Sequence, residues 1–362
     1  MNIEKRVEDI FEELVSIRRD FHMNPELSGK EIRTSKKICE YLDSWGIEYE
    51  SGIAETGVVA IIRGKKDGKT VAARADIDAL PIKEDNDKPY RSQNPGVMHA
   101  CGHDVHTTIQ LGVARIFKEM EEELEGNIKL LFQPAEEAIG GAQRMVEHGC
   151  MKNPDVDYVI GLHVMPYLDS GFVELKYGKL NASSGEINIK IKGKSGHGAY
   201  PESSVDAIVI AGNVITGLQT LVSRYISPLN SVVLSIGKIN GGTRNNIIAD
   251  EVVMSGTLRT LDPETRKLVK ERIKHIVEYT AKAYGGEGIV EFIEGYDALI
   301  NDDEIVDVIK ETAERVLGKD KVQLKEFPSL GAEDFSYFIN EAKGAFYHLG
   351  CGNKKMGITA PL

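Results

Sequence analysis

Thiol and imidazole side chains are concentrated in one short segment of the chain, residues 98–106, with the sequence MHACGHDVH. This segment contains three of the nine histidines of the protein. Cys101 and His103 are two positions apart, so both side chains can face one point on an extended or turning backbone. A thiolate and an imidazole favour zinc and also suit cobalt or manganese. A metal site therefore explains the cluster better than a small buried cysteine beside polar groups at a helix start, and Asp104 could orient a ligand imidazole.

Two adjacent glutamates, Glu136 and Glu137, come shortly after the apolar run Ile128–Phe132, which is typical of a buried strand. Such a pair can divide two roles between its members. One carboxylate binds a metal, and the other takes a proton from a water molecule that the metal has made more acidic. Taken alone, the pair fits a solvated acidic helix start equally well.

Two further apolar runs also lead into possible ligands. Asp76 and Asp78 follow Val71–Ala73, and their spacing of two points both carboxylates to the same side. His163 follows the run Val156–Ile160. Alone, the aspartates are more simply explained as turn residues and the histidine as a core residue. Ligand-type residues after successive strands nevertheless indicate a site at one edge of a sheet.

A glycine-rich segment with the sequence GKSGHGAYP, residues 193–201, contains His197. Its glycines allow close backbone approach, and His197 could donate a hydrogen bond to a developing oxyanion. The alternative is a surface histidine in a flexible turn. Arg259, at the end of another predicted strand, could bind a carboxylate through two hydrogen bonds, although most arginines in such positions are merely solvated.

Predicted helices and strands alternate in the first half of the chain. This alternation predicts an α/β fold with a mostly parallel or mixed sheet flanked by helices. A β-α-β-β-α-β order then predicts an inserted ferredoxin-like unit. We therefore predict a discontinuous domain of residues 1–180 and 298–362 and an inserted domain of residues 181–297. Helices are predicted at 7–19, 31–45, 107–123, 141–147, 204–225 and 262–284, and strands at 58–62, 71–73, 128–132, 156–162, 186–192, 231–239, 250–260 and 288–294.

The composition of the 362-residue chain excludes several classes of protein. Its 44 basic and 56 acidic residues give a formal net charge of −12, which argues against nucleic-acid binding. No apolar run is expected to approach the roughly 18 residues that a membrane helix needs. Four cysteines do not form a disulfide framework. We therefore expect a cytoplasmic enzyme with reduced cysteines.

Together these residues resemble the amidohydrolase branch of the dinuclear-metal exopeptidase and aminoacylase family. That branch includes hippurate hydrolases, auxin-conjugate hydrolases, N-acyl-amino-acid amidohydrolases and N-acetyl-diaminopimelate deacetylases. The resemblance extends in order over nearly the whole chain. The segments that carry it are 19–28, 74–81, 98–107, 133–137, 161–164, 193–201, 256–259 and 331–335.

The resemblance implies a catalytic α/β domain that binds two divalent ions, with zinc, manganese, cobalt and nickel all possible. Glu136 matches the general base, and Asp78 or Asp76 matches the acid that orients a ligand or the base. The positions that match the metal ligands are Cys101, His103, Glu137 and His163.

The resemblance also implies that the inserted domain is a lid that often forms the contact in a homodimer or homotetramer. His197 matches a histidine that steadies the tetrahedral intermediate, often from the neighbouring subunit. Asn246 and Arg259 match positions that hold the carboxylate of the substrate.

One departure from the family concerns the end of the sequence, Thr359–Leu362. The family normally continues there with a histidine that completes the metal site and with a final helix. We expect that either the gene is truncated or the site lacks one ligand, which would weaken metal binding and leave dinuclear occupancy uncertain. Loss of the helix would also expose core of the catalytic domain.

The sequence therefore predicts a metal-dependent amidohydrolase that cleaves small N-acyl amino acids, with water activated by the metal and Glu136. Two alternatives remain open at this point. Cys101 could act as the nucleophile of a thiol hydrolase. The chain could also be a catalytically impaired or non-catalytic relative that lacks the last metal ligand.

Overall fold

A computed structural model of the protein describes residues 2–138 and 140–357. The chain divides into two compact units. The larger unit consists of Met1–Leu180, Ile300–Phe327 and Asp334–Leu362, and the smaller unit consists of Asn181–Leu299 and Pro328–Glu333. Residues 359–362, to which the expectation about the last metal ligand refers, lie outside the described part of the chain.

The helices and strands are numbered along the chain. The helices are α1 (Ile3–Met23), α2 (Ile32–Ser44), α3 (His103–Glu119), α4 (Gly141–Glu147), α5 (Ala207–Thr220), α6 (Pro263–Ala283), α7 (Asp303–Leu317) and α8 (Ser336–Glu341). The strands are β1 (Glu48–Ile53), β2 (Gly57–Arg63), β3 (Lys66–Asp76), β4 (Glu125–Gln133), β5 (Tyr158–Asp169), β6 (Val173–Leu175), β7 (Gly178–Asn181), β8 (Gly185–Lys192), β9 (Gly196–His197), β10 (Val232–Gly241), β11 (Ile247–Ile248), β12 (Glu251–Thr260), β13 (Glu287–Glu294), β14 (Leu299–Asn301), β15 (Val322–Leu324) and β16 (Lys343–Gly352).

The larger unit is built on an eight-stranded sheet in the order β1-β2-β4-β3-β5-β16-β6-β15. The central strands β4, β3, β5 and β16 are parallel to one another. Strands β1 and β2 are antiparallel, as are β2 and β4 and also β16 and β6. Leu130, Leu131 and Phe132 of β4 are all fully buried, as expected for a strand with covered faces. The predicted fold class, a mixed α/β sheet flanked by helices, is confirmed.

Helices α1, α2 and α3 contribute to one apolar core with the sheet. Their buried side chains recur every three or four residues, which gives each helix an apolar face. Ile17 and Phe21 of α1, Ile38 of α2 and Leu111 of α3 belong to this core, together with Phe132 of β4. These three helices are therefore fixed against the sheet whose strands carry part of the predicted site.

Among the predicted boundaries that differ from the structure, two affect the site. Helix α3 begins at His103 rather than at residue 107, because Gly102 before it adopts a φ of 88° that starts the helix earlier. Strand β5 continues to Asp169 rather than ending at residue 162. His163 therefore lies within a strand and not in the loop after it.

The smaller unit contains a four-stranded antiparallel sheet in the order β10-β12-β8-β13. With α5 between β8 and β10 and α6 between β12 and β13, this is the predicted ferredoxin-like arrangement. Asp206 accepts hydrogen bonds from two backbone N–H groups at the start of α5. Asp262 accepts one from Thr265 at the start of α6, which has Pro263 in its first turn. Local capping and the apolar pattern thus agree with the fold of this unit.

The segment Ala207–Tyr225, which contains α5, is long and apolar enough by composition to cross a membrane. This finding corrects the expectation that no apolar run approaches that length. Ile210, Val214 and Leu218 are buried in the core of the smaller unit, where Ile189 of β8 is also buried. Because one face of α5 packs in this way, the pattern is that of a core helix.

Candidate metal centre

The parallel strands bring the predicted ligands to one end of the sheet. Asp76 at the end of β3 pairs in register with Gln133 at the end of β4. On the other side of β3, Arg74 pairs with Gly161 of β5. Because parallel strands point the same way, the residues beyond these pairs, His163 among them, meet at one edge.

Gly102 makes the approach of α3 to this edge possible. Its φ of 88° is costly for other residues, and a Cβ atom there would lie 2.5 Å from Cγ2 of Val164. The turn at Gly102 is flanked by Cys101 and His103. Sγ of Cys101 lies 3.2 Å from Nε2 of His163. The position therefore needs glycine both for its backbone conformation and for its space.

The four predicted metal ligands converge in two groups that share His103. In the first group, ligand-type atoms of Cys101, His103 and His163 lie within 4.8 Å of one another. In the second, the same limit holds for His103, Glu136 and Glu137. The structure thus brings together all four residues expected to bind metal and the one expected to act as base.

The orientation of the two imidazoles suits metal binding through their Nε2 atoms. Nδ1 of His103 lies 3.0 Å from Oδ1 of Asp78, to which it donates a hydrogen bond. Nδ1 of His163 donates to the carbonyl oxygen of Val164 at 2.7 Å. Metal-binding histidines in proteins are commonly held in this way through the other ring nitrogen. Asp78 therefore orients the imidazole of His103, a predicted ligand.

Two buried polar atoms at this centre have no hydrogen-bond partner among the described residues, Nε2 of His103 and Oε1 of Glu137. They lie 3.8 Å apart. Buried polar atoms are normally paired, and an unpaired donor or acceptor is costly unless something else satisfies it. A divalent cation would satisfy both atoms, so the residues present fit a metal.

The electrostatics of the site also favour a cation. Burial opposes protonation of His103, yet the carboxylates of Asp76 and Asp78 raise the pKa of its imidazole well above the usual value. Burial, aided by the neighbouring His106, lowers the pKa of His163 to about 3, which keeps this imidazole neutral and able to bind a metal. The negative potential that would hold a proton on His103 would equally hold a metal ion.

Burial raises the pKa of the Cys101 thiol to about 12. A thiol in this environment stays protonated at neutral pH and is a poor nucleophile without a cation beside it. This observation disfavours the alternative in which Cys101 attacks the substrate directly.

Asp76 also lies beside His103, with its Oδ2 3.5 Å from Nε2 of that imidazole, but its hydrogen bonds go to other residues. Its Oδ1 accepts a hydrogen bond of 2.6 Å from Nδ1 of His106, and its Oδ2 accepts one of 2.8 Å from Arg74. Nε2 of His106 in turn accepts the backbone N–H of Val164 at 2.9 Å. Both nitrogens of His106 are therefore occupied, and this histidine supports the strand next to His163. Its spacing of three from His103 in the sequence, one helical turn, is the signal that could have indicated this position.

The expectation that Asp104 orients a ligand imidazole is wrong. Its Oδ2 lies 2.8 Å from Nδ1 of His22 and 2.8 Å from Nε of Arg18, both on α1. Successive helical residues point about 100° apart, so Asp104 cannot face the same way as His103. The contact anchors the start of α3 to α1.

In the smaller unit, the structure brings His197 and Asn246 close together. Strand β9 pairs with β11, with His197 opposite Ile247, and the backbone N–H of Gly198 donates to the carbonyl of Asn246 at 2.9 Å. His197 is exposed, and its Nδ1 accepts a hydrogen bond from the N–H of Ala199.

Arg259 lies on a different strand of the smaller unit, β12. Its guanidinium group donates to Oγ1 of Thr257 at 2.7 Å and to the carbonyl of Leu258 at 3.2 Å. These contacts direct it along its own strand, and within the described residues they do not join it to His197 or Asn246.

Comparison with known proteins gives the class to which this centre belongs. Residues 72–361 match the model of peptidase family M20/M25/M40. The chain is 42% identical to an N-acetyl-L-cysteine deacetylase of Bacillus subtilis, over 93% of this chain and 80% of that protein. It is 40% identical to thermostable carboxypeptidase 2 of Saccharolobus solfataricus, over 98% of this chain and 90% of that protein. It resembles the crystal structure of a Bacillus subtilis dinuclear metal binding peptidase from the M20 family with a TM-score of 0.84 and 35% identity, over 95% of this chain and 89% of that chain.

The chain therefore belongs to peptidase family M20/M25/M40, and the resemblance drawn from its motifs is confirmed. It is a metal-dependent amidohydrolase. The group of Cys101, His103 and His163 and the group of His103, Glu136 and Glu137 agree with a pair of divalent metal ions.

Proposed function

We propose that this enzyme hydrolyses the amide bond of N-acyl amino acids and releases the free amino acid and a carboxylic acid. The observation that carries the proposal is the position of Glu136. Its carboxylate is nearly buried and lies within 4.8 Å of ligand atoms of His103 and Glu137. A base in this place can reach a water molecule next to the metal ligands.

The activities named for two relatives share one chemical unit. An N-acetyl-L-cysteine deacetylase and a carboxypeptidase both cleave an amide whose nitrogen is attached to a carbon that carries a free carboxylate. An N-acyl amino acid is the smallest molecule that contains this unit. We infer that the substrate of this enzyme contains it too.

The metal ions, when bound, polarise the amide carbonyl and make water acidic enough to lose a proton near neutral pH. Glu136 accepts that proton and then donates it to the nitrogen of the departing amine. Glu137, the imidazoles of His103 and His163 and the thiolate of Cys101 would hold the metal ions. Asp78 keeps His103 in the orientation that exposes Nε2.

We propose that three residues of the smaller unit complete the reaction. His197 donates a hydrogen bond to the oxyanion that develops on the carbonyl carbon. Asn246 and Arg259 bind the α-carboxylate, with the guanidinium of Arg259 providing the positive charge. In this proposal the smaller unit, residues 181–297 of the predicted inserted domain, serves as a lid, and residues 1–180 and 298–362 form the catalytic domain.

We propose zinc or manganese as the physiological metal, with cobalt and nickel as substitutes, because the ligand set mixes sulfur, nitrogen and oxygen. Two ions per chain are expected if a further ligand completes the site. If the purified protein binds no metal and cleaves no amide, it is instead the non-catalytic relative that the sequence left open as an alternative. Metal analysis of the purified protein distinguishes the two.

We propose further that the protein forms a homodimer, or a homotetramer built from it, through the smaller unit. Ile208 and Val209 of α5 are 52% and 48% exposed, and such apolar side chains favour burial against a partner. The mass of the particle in solution, measured by light scattering, tests this assembly. A cytoplasmic location stays a prediction, which the four free cysteines support.

The variant Glu136→Gln tests the proposed reaction, because it removes the base and keeps the shape of the side chain. We expect kcat for N-acetyl and N-benzoyl amino acids to fall by about 10²- to 10⁴-fold while the zinc content stays unchanged. Glu137→Gln is the matched control, since loss of a ligand should lower both zinc content and kcat. A Glu136→Gln enzyme as active as the parent would show that the mechanism is wrong.

The substrate assignment is tested separately by the choice of amide. An N-acetyl amino acid whose α-carboxylate is replaced by a carboxamide keeps the scissile bond and loses the negative charge. We expect a much higher KM for this compound, because Arg259 then has no carboxylate to bind. Equal KM values for the two compounds would reject the proposed substrate class.

A further inference from the structure

Glu31 is a fully buried carboxylate in the loop between α1 and α2, outside the metal centre. Its Oε1 accepts hydrogen bonds from the backbone N–H groups of Gly29 and Ala135, both at 2.9 Å. Its Oε2 accepts a hydrogen bond of 2.7 Å from the hydroxyl of Thr56. The three bonds hold the side chain in a single orientation and join it to a turn 104 residues further along the chain.

That turn is the one that carries the proposed base. Ala135 directly precedes Glu136 and Glu137, is fully buried, and has a φ of 56°. A residue other than glycine adopts this left-handed conformation only where its surroundings enforce it. The hydrogen bond from the N–H of Ala135 to Glu31 is one contact that enforces it.

The same loop fixes the turn a second time, through Asp78. The hydroxyl of Ser28 donates to Oδ2 of Asp78 at 2.7 Å, and the backbone N–H of Glu137 donates to the same oxygen at 3.0 Å. The other oxygen of Asp78 accepts the hydrogen bond from His103. The loop thus holds the backbone on both sides of Glu136, directly at Ala135 and through Asp78 at Glu137.

We propose that Glu31 is a positioning residue, which holds the turn 135–137 so that Glu136 and Glu137 face the metal ligands; this inference rests on the proposed function. Without the carboxylate of Glu31, the N–H of Ala135 is buried without a partner and the left-handed turn can relax. Glu136 and Glu137 then move away from His103. A small displacement of this kind lowers kcat and metal affinity together.

Glu26, in the same loop, provides a matched comparison. Its carboxylate accepts three hydrogen bonds, from the N–H of Arg33 and from the N–H and hydroxyl of Thr34. These bonds stabilise the start of α2 and do not reach the turn. Removal of either glutamate therefore costs three hydrogen bonds, but only the removal of Glu31 releases the N–H of Ala135.

The experiment compares Glu31→Ala, Glu31→Gln and Glu26→Ala in the zinc-loaded enzyme. Zn²⁺ affinity is measured by competition with a chromophoric chelator, and kcat and KM are measured with an N-acetyl amino acid. For Glu31→Ala we expect zinc affinity and kcat to fall by about 10- to 100-fold each, with KM nearly unchanged. Glu31→Gln keeps an acceptor for Ala135 and can donate to Thr56, so both values should stay within about threefold of the parent.

Glu26→Ala should lower the melting temperature about as much as Glu31→Ala and leave zinc affinity and kcat unchanged. Equal losses in the two alanine variants would overturn the proposal, and so would a Glu31→Gln enzyme as impaired as Glu31→Ala. If Glu31→Ala does not fold, Thr56→Val loosens Glu31 from the other side, and unchanged zinc affinity in that variant counts against the proposal. Zinc affinity decides the role of Glu31 even if the parent enzyme cleaves no N-acyl amino acid.

Discussion

Two clusters of ionisable side chains lie on neighbouring strands of the same sheet and differ in how completely they are paired. The first is the metal centre, which includes His163 on β5. The second, which we call the β16 cluster, consists of Tyr167, Glu174, Lys325 and His348. His163 and His348 are register partners on the parallel strands β5 and β16.

The polar side chains of the β16 cluster form hydrogen bonds with one another. Oε1 of Glu174 accepts hydrogen bonds from Tyr167 at 2.5 Å, His348 at 2.9 Å and Lys325 at 3.0 Å. Lys325 also donates to the hydroxyl of Tyr167 at 3.0 Å. In the described residues, none of its side chains contributes an unpartnered buried polar atom, whereas the metal centre contributes two. Residue types alone would not separate a structural cluster from a functional one, but the count of unsatisfied atoms does.

The largest expected difference between the clusters is in metal binding. The variant His163→Ala removes a proposed ligand, so zinc affinity should fall by a factor on the order of 100 or more and activity should be lost. His348→Ala, at the register partner, should leave zinc affinity unchanged. Chelator competition measures both variants. Equal losses of affinity would show that the β16 cluster takes part in the metal site.

The second expected difference is a dependence of stability on pH. Burial opposes ionisation of Glu174, but hydrogen bonds from His348, Tyr167 and Lys325 lower its pKa to about 2, from the ordinary value of 4.5. A lowered pKa in the folded state stabilises the protein above pH 4.5, and this stabilisation is lost as the pH falls towards 2.

Denaturant unfolding at several pH values measures this effect in the parent and in Glu174→Gln. The difference in the free energy of unfolding should be largest above pH 4.5 and shrink towards pH 2. A difference that stays constant over this range would mean that Glu174 is not held ionised by its neighbours. Added zinc should not alter the result.

The smallest expected effect is that of Tyr167→Phe, which removes one hydroxyl from the β16 cluster. Tyr167 is 44% exposed, so water can replace the lost hydrogen bond. We expect a loss of about 0.5–1.5 kcal/mol in the free energy of unfolding, measured with urea, and unchanged kcat and zinc affinity. A fall in kcat would indicate that the cluster contacts the substrate.

The strands that the sequence predicts are found because their signals are local, whereas β1, β6, β15 and β16 of the large sheet are not predicted. The apolar run at 128–132 lies within β4, and the strict alternation at 186–192 lies within β8. The start of α3 was misplaced because Gly102 acts through a left-handed backbone conformation, which periodicity does not reveal. The end of β5 was misplaced because its later residues are held by pairing with β16 rather than by an apolar run.

The metal centre was predictable to the extent that its residues are adjacent in the chain or follow strands. The spacing of Cys101 and His103 and the pair Glu136 and Glu137 are such signals. Contacts between distant segments were not predictable, since nothing in the sequence tells which buried carboxylate meets which backbone. The contacts that Glu31 and Asp104 make with distant segments are of this second kind.

The pairing of β5 on both edges has a consequence for the lifetime of a bound metal ion. Residues 158–161 are hydrogen-bonded to β3, and most of β5 is hydrogen-bonded to β16. Strands in the middle of a sheet open rarely, so the amide hydrogens of residues 158–161, just before His163, should exchange slowly with solvent. We expect an ion to leave by opening of the turns at Cys101 or Glu137 and not by fraying of the strand that holds His163.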